Sequence, residues 1–350
     1  MRKFNGIWFF LVLTFLLVAC SDKTEPTEVE ASDSTETSAP VVENTSTYPE
    51  KPITMVAPSG AGGSWDIAAR SIVSALEKTS IVTEQMSVEN VPGGSGAVFM
   101  ATYATKDIKD DYKVFVNSPS LLINNLRSEA NSPYGHKDTT PLAQLFQDYG
   151  VIAVQKDSPY NDLPSLLEDL KNNPSKLSIG GGSSAGSMWH LNFALSAYNE
   201  GVDITKLKYV PFSGNGESMT ALLGKHVDVL SSGASDVAQY LKAGEIKVLA
   251  LNAPKRLDGD FADVPTLQEL NINGDFSIWR GVFGPKEMST EAKDYWNDAL
   301  KQLSETPEWQ QEMKSNGWEP AYLDADSFKT ALDEQNETIL EVLKVMEMAQ

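Results

Sequence analysis

The chain has 350 residues, of which 41% are hydrophobic, and a formal net charge of −20 at pH 7. This length is sufficient for two domains with sizeable cores, and the negative charge disfavours nucleic acid and anionic membrane surfaces as partners. Cys20 is the only cysteine, so no disulfide can form within the chain.

The first 20 residues have the pattern of a lipoprotein signal peptide. Arg2 and Lys3 precede an almost entirely apolar run at residues 7–18, which is too short to span a bilayer comfortably. The run ends in LVAC, which resembles a bacterial lipobox, where the cysteine is lipidated and becomes the first mature residue. We therefore predict that acyl chains on Cys20 hold the protein to a membrane. The alternative is an ordinary signal peptide with a chance cysteine.

Residues 21–47 form a polar segment between this signal and the folded body. They are rich in Ser, Thr, Glu, Asp and Pro and poor in aromatic residues. Such a composition cannot bury enough apolar surface to offset the loss of chain entropy. We predict a disordered tether.

The folded body begins with a strand, a glycine-rich turn and a helix, KPITMVAPSGAGGSWDIAARSIVSAL at residues 51–76. The apolar run at residues 53–56 predicts a buried strand, and the turn at residues 58–63 needs the backbone freedom of glycine. Ser64 is the predicted N-cap of the helix. Several N–H groups at such a helix start point to one spot, which can bind an anion. The alternative is a tight turn without a ligand, since the motif is neither a dinucleotide fingerprint nor a phosphate loop.

Strands and helices then alternate. Strands at residues 82–91 and 112–116 are followed by turns at residues 92–96 and 117–120. The alternation predicts a mostly parallel sheet covered by helices on both faces. Ligands of such sheets lie beyond the carboxyl ends of the strands, so these turns and the first glycine-rich turn are expected at one ligand-binding edge.

A second unit of the same kind follows residues 141–154, an extended run that is interrupted near Tyr149. We expect the chain to pass there from one domain to another. A strand, a Gly/Ser turn and a helix at residues 177–198 repeat the first motif, which suggests two α/β lobes that each offer a ligand-facing loop.

The last part of the sequence predicts a return to the first lobe. A strand at residues 246–251 could lead back to it, and DVPT at residues 263–266 is expected to start a helix. Residues 278–283 are the last predicted strand, and the chain from Thr290 onward is predicted to be mainly helical.

An enzymatic alternative arises from residues 182–186, which fit the nucleophile-elbow pattern G-x-S-x-G between a strand and a helix. Ser184 would be the nucleophile, His190 or His226 the base and Asp203 the third member. The pattern is short, and both histidines sit in segments that look structural. The three histidines are scattered and no carboxylates have ligand spacing, so we predict no metal and no cofactor.

Seven blocks of this chain resemble, in the same order, the substrate-binding proteins of tripartite tricarboxylate transporters, the TctC or Bug receptors. They are KPITMVAPSGAGGSWDIAAR, VENVPGGSGA, SIGGGSSAGSMWHL, KYVPFSGNGESMTALLGKHVDV, AGEIKVLAL, DVPTLQEL and WRGVFGP. The resemblance extends from Tyr48 to the C-terminus. It implies an α/β, two-lobed, type II periplasmic-binding-protein fold with the ligand cleft between the lobes. Lobe 1 would comprise residues 48–148 and 252–350, and lobe 2 residues 149–251.

The resemblance also implies a function. The protein would be an extracytoplasmic solute receptor, not an enzyme, that binds a small carboxylate of the tricarboxylate or dicarboxylate type. It would deliver this ligand to the membrane subunits of a tripartite transporter, as a monomer anchored to the cell membrane at the periplasmic or outer surface. The alternatives are a secreted serine hydrolase that uses Ser184 and a ligand sensor that acts on a membrane signalling partner.

Two loops, one in each lobe, would bind the ligand through backbone N–H groups. The residues that match them are Pro58, Ser59, Gly60, Gly62, Gly63, Ser64 and Asp66 in the first loop and Gly182, Ser183, Ser184 and Ser187 in the second. Ser118, Ser120 and Asn215 are expected beside the cleft because they follow strand ends. We interpret Asp66 as a residue that interacts with the helix dipole; the alternative is that it faces the cleft, where it would repel a carboxylate and attract a hydroxyl or ammonium donor. Arg280 is expected either to contact a ligand carboxylate or to form a structural ion pair.

Overall fold

A computed structural model describes residues 47–130, 132–274 and 276–350 of the chain. The predicted signal peptide, the lipidation site Cys20 and residues 21–46 of the predicted tether lie outside these ranges. In the described part the chain forms two mixed β-sheets with helices packed on them. Within these ranges, none of the helices has both the length and the apolar character that crossing a bilayer requires.

The described residues contain eleven strands and ten α-helices. The strands are β1 (Ile53–Ala57), β2 (Met86–Asn90), β3 (Lys113–Asn117), β4 (Thr139–Asp148), β5 (Gly150–Gln155), β6 (Ser178–Gly181), β7 (Lys208–Pro211), β8 (Val229–Gly233), β9 (Ile246–Asn252), β10 (Ile278–Pro285) and β11 (Glu319–Asp324). The helices are α1 (Ser64–Lys78), α2 (Ala97–Lys106), α3 (Ser120–Leu126), α4 (Leu163–Asn172), α5 (Met188–Asn199), α6 (Asn215–Leu223), α7 (Ala234–Lys242), α8 (Thr290–Glu305), α9 (Pro307–Asn316) and α10 (Ala325–Val345).

Both sheets mix parallel and antiparallel neighbours. The first has the strand order β11-β4-β10-β3-β1-β2, and the second has the order β7-β6-β8-β5-β9. The prediction of mostly parallel sheets is wrong, because β10 lies antiparallel between β3 and β4, and β5 lies antiparallel between β8 and β9. Each of these two is the strand with which the chain enters its sheet from the other one, so no crossover helix makes it parallel to its neighbours.

The parallel part of each sheet brings several strand ends to one edge. In the first sheet β1 is parallel to β2 and β3, and Ala57 pairs with Asn90. In the second, β6 is parallel to β7 and β8, and Gly181 lies opposite both Pro211 and Ser231. The turns after β1, β2 and β3 therefore lie at strand carboxyl ends, as predicted, and the turns after β6, β7 and β8 form the corresponding edge of the second sheet.

The chain passes from the first sheet to the second at Tyr149. Asp148 is the last residue of β4, and Gly150 begins β5 opposite Gly233 of β8. A Cβ at Gly150 would collide with the side chain of Asn192, so the close approach of α5 requires glycine at this position. The lobe boundaries given above stay a prediction.

Residues 253–277 lead back to the first sheet, and here two predictions differ from the structure. No helix starts at residues 263–266; instead Thr266 forms an isolated bridge with Leu251 that ties the connection to β9. The strand predicted at residues 278–283 is β10, but it is not the last strand, because β11 follows and pairs with the outer side of β4. The region after Thr290 is mainly helical, as predicted.

Helix starts fall into two groups. Asp162, Ser289, Thr306 and Asp324 precede α4, α8, α9 and α10, and each accepts a hydrogen bond from a first-turn N–H group. The residues before the other six helices, α1, α2, α3, α5, α6 and α7, give no such side-chain cap. The N–H groups that begin a helix have no intrahelical acceptor, so the second group of helices presents unsatisfied donors.

One apolar cluster joins the two sheets. It contains Phe115 and Phe283 from the first sheet, Ile152 from the second, and Phe328 and Leu332 from α10. The C-terminal helix therefore belongs to the core that both sheets share.

Candidate functional site

A cavity of about 960 Å³ lies between the two sheets, at the edges where the parallel strands end. From the first-sheet side it is lined by Gly62, Gly63, Ser64, Ile67, Ser95, Ser120, Ile123, Asn124, Arg127, Phe146, Asp148, Arg280, Asn316 and Trp318. From the second-sheet side it is lined by Gly182, Ser183, Ser184, Ser187, Met188, Trp189, Phe212, Ser213, Gly214, Asn215, Gly216, Ser235 and Asp236. Of the six described helices without a side-chain cap, α1, α5, α6 and α7 all place residues of their first turn, or the residue before it, on this cavity.

The structure divides the predicted site residues into two sets. Those that line the cavity are Gly62, Gly63, Ser64, Ser120, Gly182, Ser183, Ser184, Ser187 and Asn215. Those that do not are Pro58, Ser59, Gly60, Asp66 and Ser118. In the second set Pro58, Asp66 and Ser118 are buried, Ser59 is half-buried and Gly60 is exposed elsewhere.

Asp66 holds the first loop in place by hydrogen bonds and does not itself reach the cavity. Asp66 is 3% exposed, and its Oδ2 accepts a hydrogen bond from the Gly62 amide at 2.8 Å. Its Oδ1 accepts from Asn90 Nδ2 at 2.9 Å and lies 2.9 Å from Arg70 Nε. Burial alone would raise the pKa of Asp66, but the hydrogen bonds from Arg70, Gly62 and Asn90 outweigh it and hold the pKa below its usual value.

The start of α1 differs by one residue from the prediction. Gly63, with extended backbone, occupies the N-cap position, and Ser64 is the first helical residue. Since Gly63 has no side chain that could cap the helix, and the Asp66 carboxylate is turned to Gly62, the amides of the first turn stay directed at the cavity.

The second loop, residues 182–187, is fixed by a buried histidine and by an arginine from the first-sheet side. The Gly186 amide donates to His190 Nδ1 at 2.9 Å, and the His190 ring stacks on Tyr209 with centroids 4.2 Å apart. Burial lowers the pKa of His190 to about 4, so the ring is neutral at pH 7. Arg127 Nη1 donates to Ser184 Oγ and to the Ala185 carbonyl, both at 2.7 Å.

The structure does not assemble the alternative hydrolase triad. In the described part of the chain, no hydrogen bond joins Ser184 to His190 or His226, because the Ser184 hydroxyl accepts from Arg127 and His190 accepts from the loop. His226 is exposed after α6, and Asp203 accepts from Thr205 in a separate turn. Over the same ranges, no group of three or more His, Cys, Asp or Glu side chains could hold a metal ion.

Four charged side chains of the described ranges line the cavity: Arg127, Asp148, Asp236 and Arg280. Arg280 is 8% exposed, and its Nη1 donates to the Trp279 carbonyl at 3.1 Å, yet no ion pair within 4 Å joins it to either aspartate. Among the described residues Arg280 therefore forms no close ion pair, and its contact with a ligand carboxylate stays a prediction.

Sequence reasoning missed three of these four residues. Asp148 ends β4 and Asp236 lies in the first turn of α7, the helix that follows β8, so the rule that located the loops could have found them. Arg127 follows the last turn of α3, and no local pattern distinguishes it from other surface arginines.

The two cavity aspartates are destabilised in their ionised form. Limited hydration and the neighbouring Asp236 raise the pKa of Asp148 to about 6, and limited hydration likewise raises the pKa of Asp236, although that side chain is open to the cavity. The carboxyl group of Asp148 therefore binds its proton more tightly in the folded than in the unfolded protein.

We expect Asp148→Asn to raise the free energy of unfolding at pH 7.5 by up to about 3 kcal/mol, since one pKa unit corresponds to ~1.4 kcal/mol. An amide can still accept from the Tyr149 amide and reach Ser235 Oγ, as the carboxylate does. The gain should fade between pH 6 and pH 4, where the wild-type carboxyl group takes up its proton. Denaturant unfolding at pH 7.5 and pH 4 measures both values, and an equal effect at the two pH values would contradict the explanation.

Comparisons with known proteins give one consistent result. The model of the tripartite tricarboxylate transporter family receptors matches residues 68–347. The protein called UPF0065 protein in gbd 5'region, from Cupriavidus necator, is 29% identical over 80% of this chain and 83% of its own length.

Solved structures agree on the fold. A TctC solute-binding protein from Polaromonas has a TM-score of 0.73 at 28% identity, and the match covers 85% of this chain and 99% of that one. The R. palustris protein Rpa4515, solved with adipate, has a TM-score of 0.70 at 23% identity over 86% and 99% of the two chains; this second likeness is one of fold. The predicted two-lobed, type II periplasmic-binding-protein fold is confirmed.

Proposed function

Because the chain belongs to the tripartite tricarboxylate transporter family of receptors, which are extracytoplasmic solute-binding proteins, we propose that its cavity binds a small dicarboxylate. The observation that carries the proposal is the convergence of two arginines and four uncapped helix starts on one cavity. Positive charge and unsatisfied N–H donors at the same place are what a carboxylate requires.

The two arginines determine how many carboxylate groups of a ligand the cavity can bind. Arg127 and Arg280 each retain guanidinium N–H groups beyond the hydrogen bonds they make to the protein. A guanidinium matches a carboxylate through two parallel hydrogen bonds. A dicarboxylate supplies one group for each arginine, whereas a third carboxylate would meet Asp148 and Asp236. A protein of the same fold has been solved with adipate, which supports a ligand of this size.

The uncapped helices add to the attraction. Each helix start carries roughly half a positive charge, and α1, α5, α6 and α7 direct theirs into the cavity. The overall charge of −20 acts against an anion only at long range, because salt screens charges beyond ~8–10 Å. The N–H donors at the cavity therefore outweigh the overall negative charge of the chain.

The last part of the proposed function is delivery of the ligand to a transporter. Ligand binding would draw the two lobes together about the Tyr149 crossing, and the closed form would be recognised by the membrane subunits of a tripartite transporter. Cys20, lipidated, would keep the receptor at the membrane as a monomer. The proposed function needs no catalytic step, and the Ser184 hydroxyl accepts a hydrogen bond from Arg127.

Calorimetric titration and thermal unfolding of the purified protein with succinate, glutarate and adipate test this function, with the corresponding neutral diamides as controls. A dicarboxylate at 100 times its dissociation constant should add about 2.7 kcal/mol of stability. The proposal fails if every dicarboxylate behaves like its diamide.

A further inference from the structure

Residues 343–350, at the end of α10 and beyond it, pack against the second loop of the site from outside the cavity. Gly186 in that loop has φ +71°, and a Cβ placed on it would stand 2.9 Å from Met348 Sδ, 3.0 Å from Arg127 Cδ and 3.4 Å from Leu343 Cδ2. Three side chains from the first-sheet side therefore meet at one glycine of the second-sheet side. Residues 343–350 all belong to the described part of the chain, and none of them lines the cavity.

A tight turn at the end of α10 brings Leu343 and Met348 together. The Met348 amide donates to the Leu343 carbonyl at 2.8 Å, and the Glu347 amide donates to the Lys344 carbonyl at 3.1 Å. These two bonds form a Schellman motif, in which the residue between them is left-handed, and Glu347 has φ +58°. The reversal of the chain is thus fixed by backbone hydrogen bonds, and it places both apolar side chains on Gly186.

Beyond this turn the chain pairs with the segment that carries Arg127. Residues 126–128 and 348–350 run antiparallel, with a bridge between Arg127 and Ala349 and flanking backbone hydrogen bonds of 2.9 Å and 2.7 Å. Arg127 has the extended backbone that this pairing requires, with φ −88° and ψ 126°. The bridge therefore fixes the backbone from which the Arg127 side chain reaches the second loop.

The Arg127 side chain needs this support from outside the cavity. No ion pair within 4 Å joins it to a carboxylate of the described residues, and its Nε is buried without a protein partner. A long side chain loses many rotamers when it is held in one arrangement. The bridge to Ala349 holds its backbone, and the packing of Met348 and Leu343 around Gly186 holds the loop that it contacts.

We propose that residues 343–350 are a positioning segment of the ligand site. They fix Arg127 and the second loop in the arrangement that receives a ligand carboxylate, so less ordering is needed when the ligand binds. The inference rests on the proposed function and adds to it residues that determine affinity without touching the ligand. Met348 is the residue to test, because its carbonyl belongs to the bridge and its sulfur packs against Gly186.

Calorimetry on the full chain, with succinate, glutarate and adipate as probes, measures the effect of Met348. Met348→Ala should weaken binding about tenfold, since small displacements of a positioned group reduce affinity strongly. Met348→Leu conserves the volume of the side chain and should bind within about twofold of the wild type. Val345→Ala is the matched control, because Val345 lies on α10 and packs against the same apolar cluster as Met348. It should leave the affinity within about twofold of the wild type, at a comparable loss of thermal midpoint.

Two further measurements separate positioning from a general loss of stability. If Met348 acts together with Arg127, the affinity loss of the double variant Arg127→Met/Met348→Ala should be at least about threefold smaller than the product of the two single losses. In the ligand-free protein, hydrogen exchange of the peptide that covers residues 182–190 should be faster in Met348→Ala than in the wild type and in Val345→Ala.

The inference is overturned, with the proposed function intact, if Met348→Ala binds as tightly as Val345→Ala does. Losses that multiply in the double variant would likewise overturn it, and so would unchanged exchange of residues 182–190 in Met348→Ala. If none of the three dicarboxylates binds to the wild-type protein, the proposed function fails, and this inference fails with it.

Discussion

Asp66→Ala should lower the free energy of unfolding by about 2–4 kcal/mol, because it removes three hydrogen-bond acceptor contacts at a buried position. Asn90 loses one of its two amide contacts, and the first loop loses its tie to α1 through Gly62. Arg70 is more than half exposed, so water can replace its partner and limit the cost. We expect ligand affinity to fall as well, by about tenfold, since the loop that carries Gly62 and Gly63 is no longer held in place.

Urea unfolding of Asp66→Ala, Asp66→Asn and the exposed control Asp294→Ala measures this effect. The side-chain amide of Asp66→Asn retains one acceptor, so the free energy of unfolding of this variant should be intermediate. The control should stay within about 0.5 kcal/mol of the wild type. The pKa of Asp66 is lowered in the folded state, so its contribution is present above the unfolded pKa and disappears as the pH falls. The difference between Asp66→Ala and the wild type should therefore shrink below pH 4. A full difference at low pH would assign the loss to packing instead.

The loops could be predicted from sequence because local signals define them. Residues 58–63 and 180–187 each follow an apolar run and precede a helix, and glycine marks both. The crossing at Tyr149 was visible for the same reason, since Gly150 interrupts an extended run that the structure divides between two sheets.

The orientation of single residues within those loops could not be predicted. Asp66 and Ser64 are two positions apart, yet one is buried and the other lines the cavity. What decides between them is a partner distant in sequence, Asn90 on β2, which draws the Asp66 carboxylate away from the cavity. Ser118 is similarly buried at the end of β3, so the rule that strand ends face ligands holds for the edge but not for every residue on it.

The antiparallel direction of β10 and the presence of β11 could not be predicted for a related reason. β10 enters the first sheet between β3 and β4, and only the three-dimensional path from the second sheet makes it antiparallel to both. β11 has a half-exposed sequence, EPAYLD, with no apolar alternation, and it is a strand because β4 offers it a free edge. Neither fact is encoded in a local pattern.

Arg127→Met should weaken dicarboxylate binding at least about 100-fold while changing the free energy of unfolding by less than about 1 kcal/mol. Arg127 belongs to the segment after α3, and its Nη1 donates to Ser184 and Ala185 on the opposite side of the cavity. The side chain thus supplies positive charge and holds the second loop at the same time. Its Nε is buried without a protein partner, which leaves a donor for a ligand carboxylate.

Calorimetry with adipate compares Arg127→Met with Arg127→Lys and with the control Arg256→Met. Lysine keeps the positive charge but lacks the planar guanidinium group, so Arg127→Lys should lose an intermediate amount of affinity. Arg256 is paired with Glu269 outside the cavity, and its replacement should leave the affinity within about twofold of the wild type. If Arg127→Met binds as the control does, Arg127 only joins the lobes and the ligand carboxylates must be held by the helix starts and Arg280. An affinity lost in Arg127→Met and partly kept in Arg127→Lys would instead mean that the guanidinium which fixes the second loop also recognises the ligand, so that lobe contact and binding depend on one side chain.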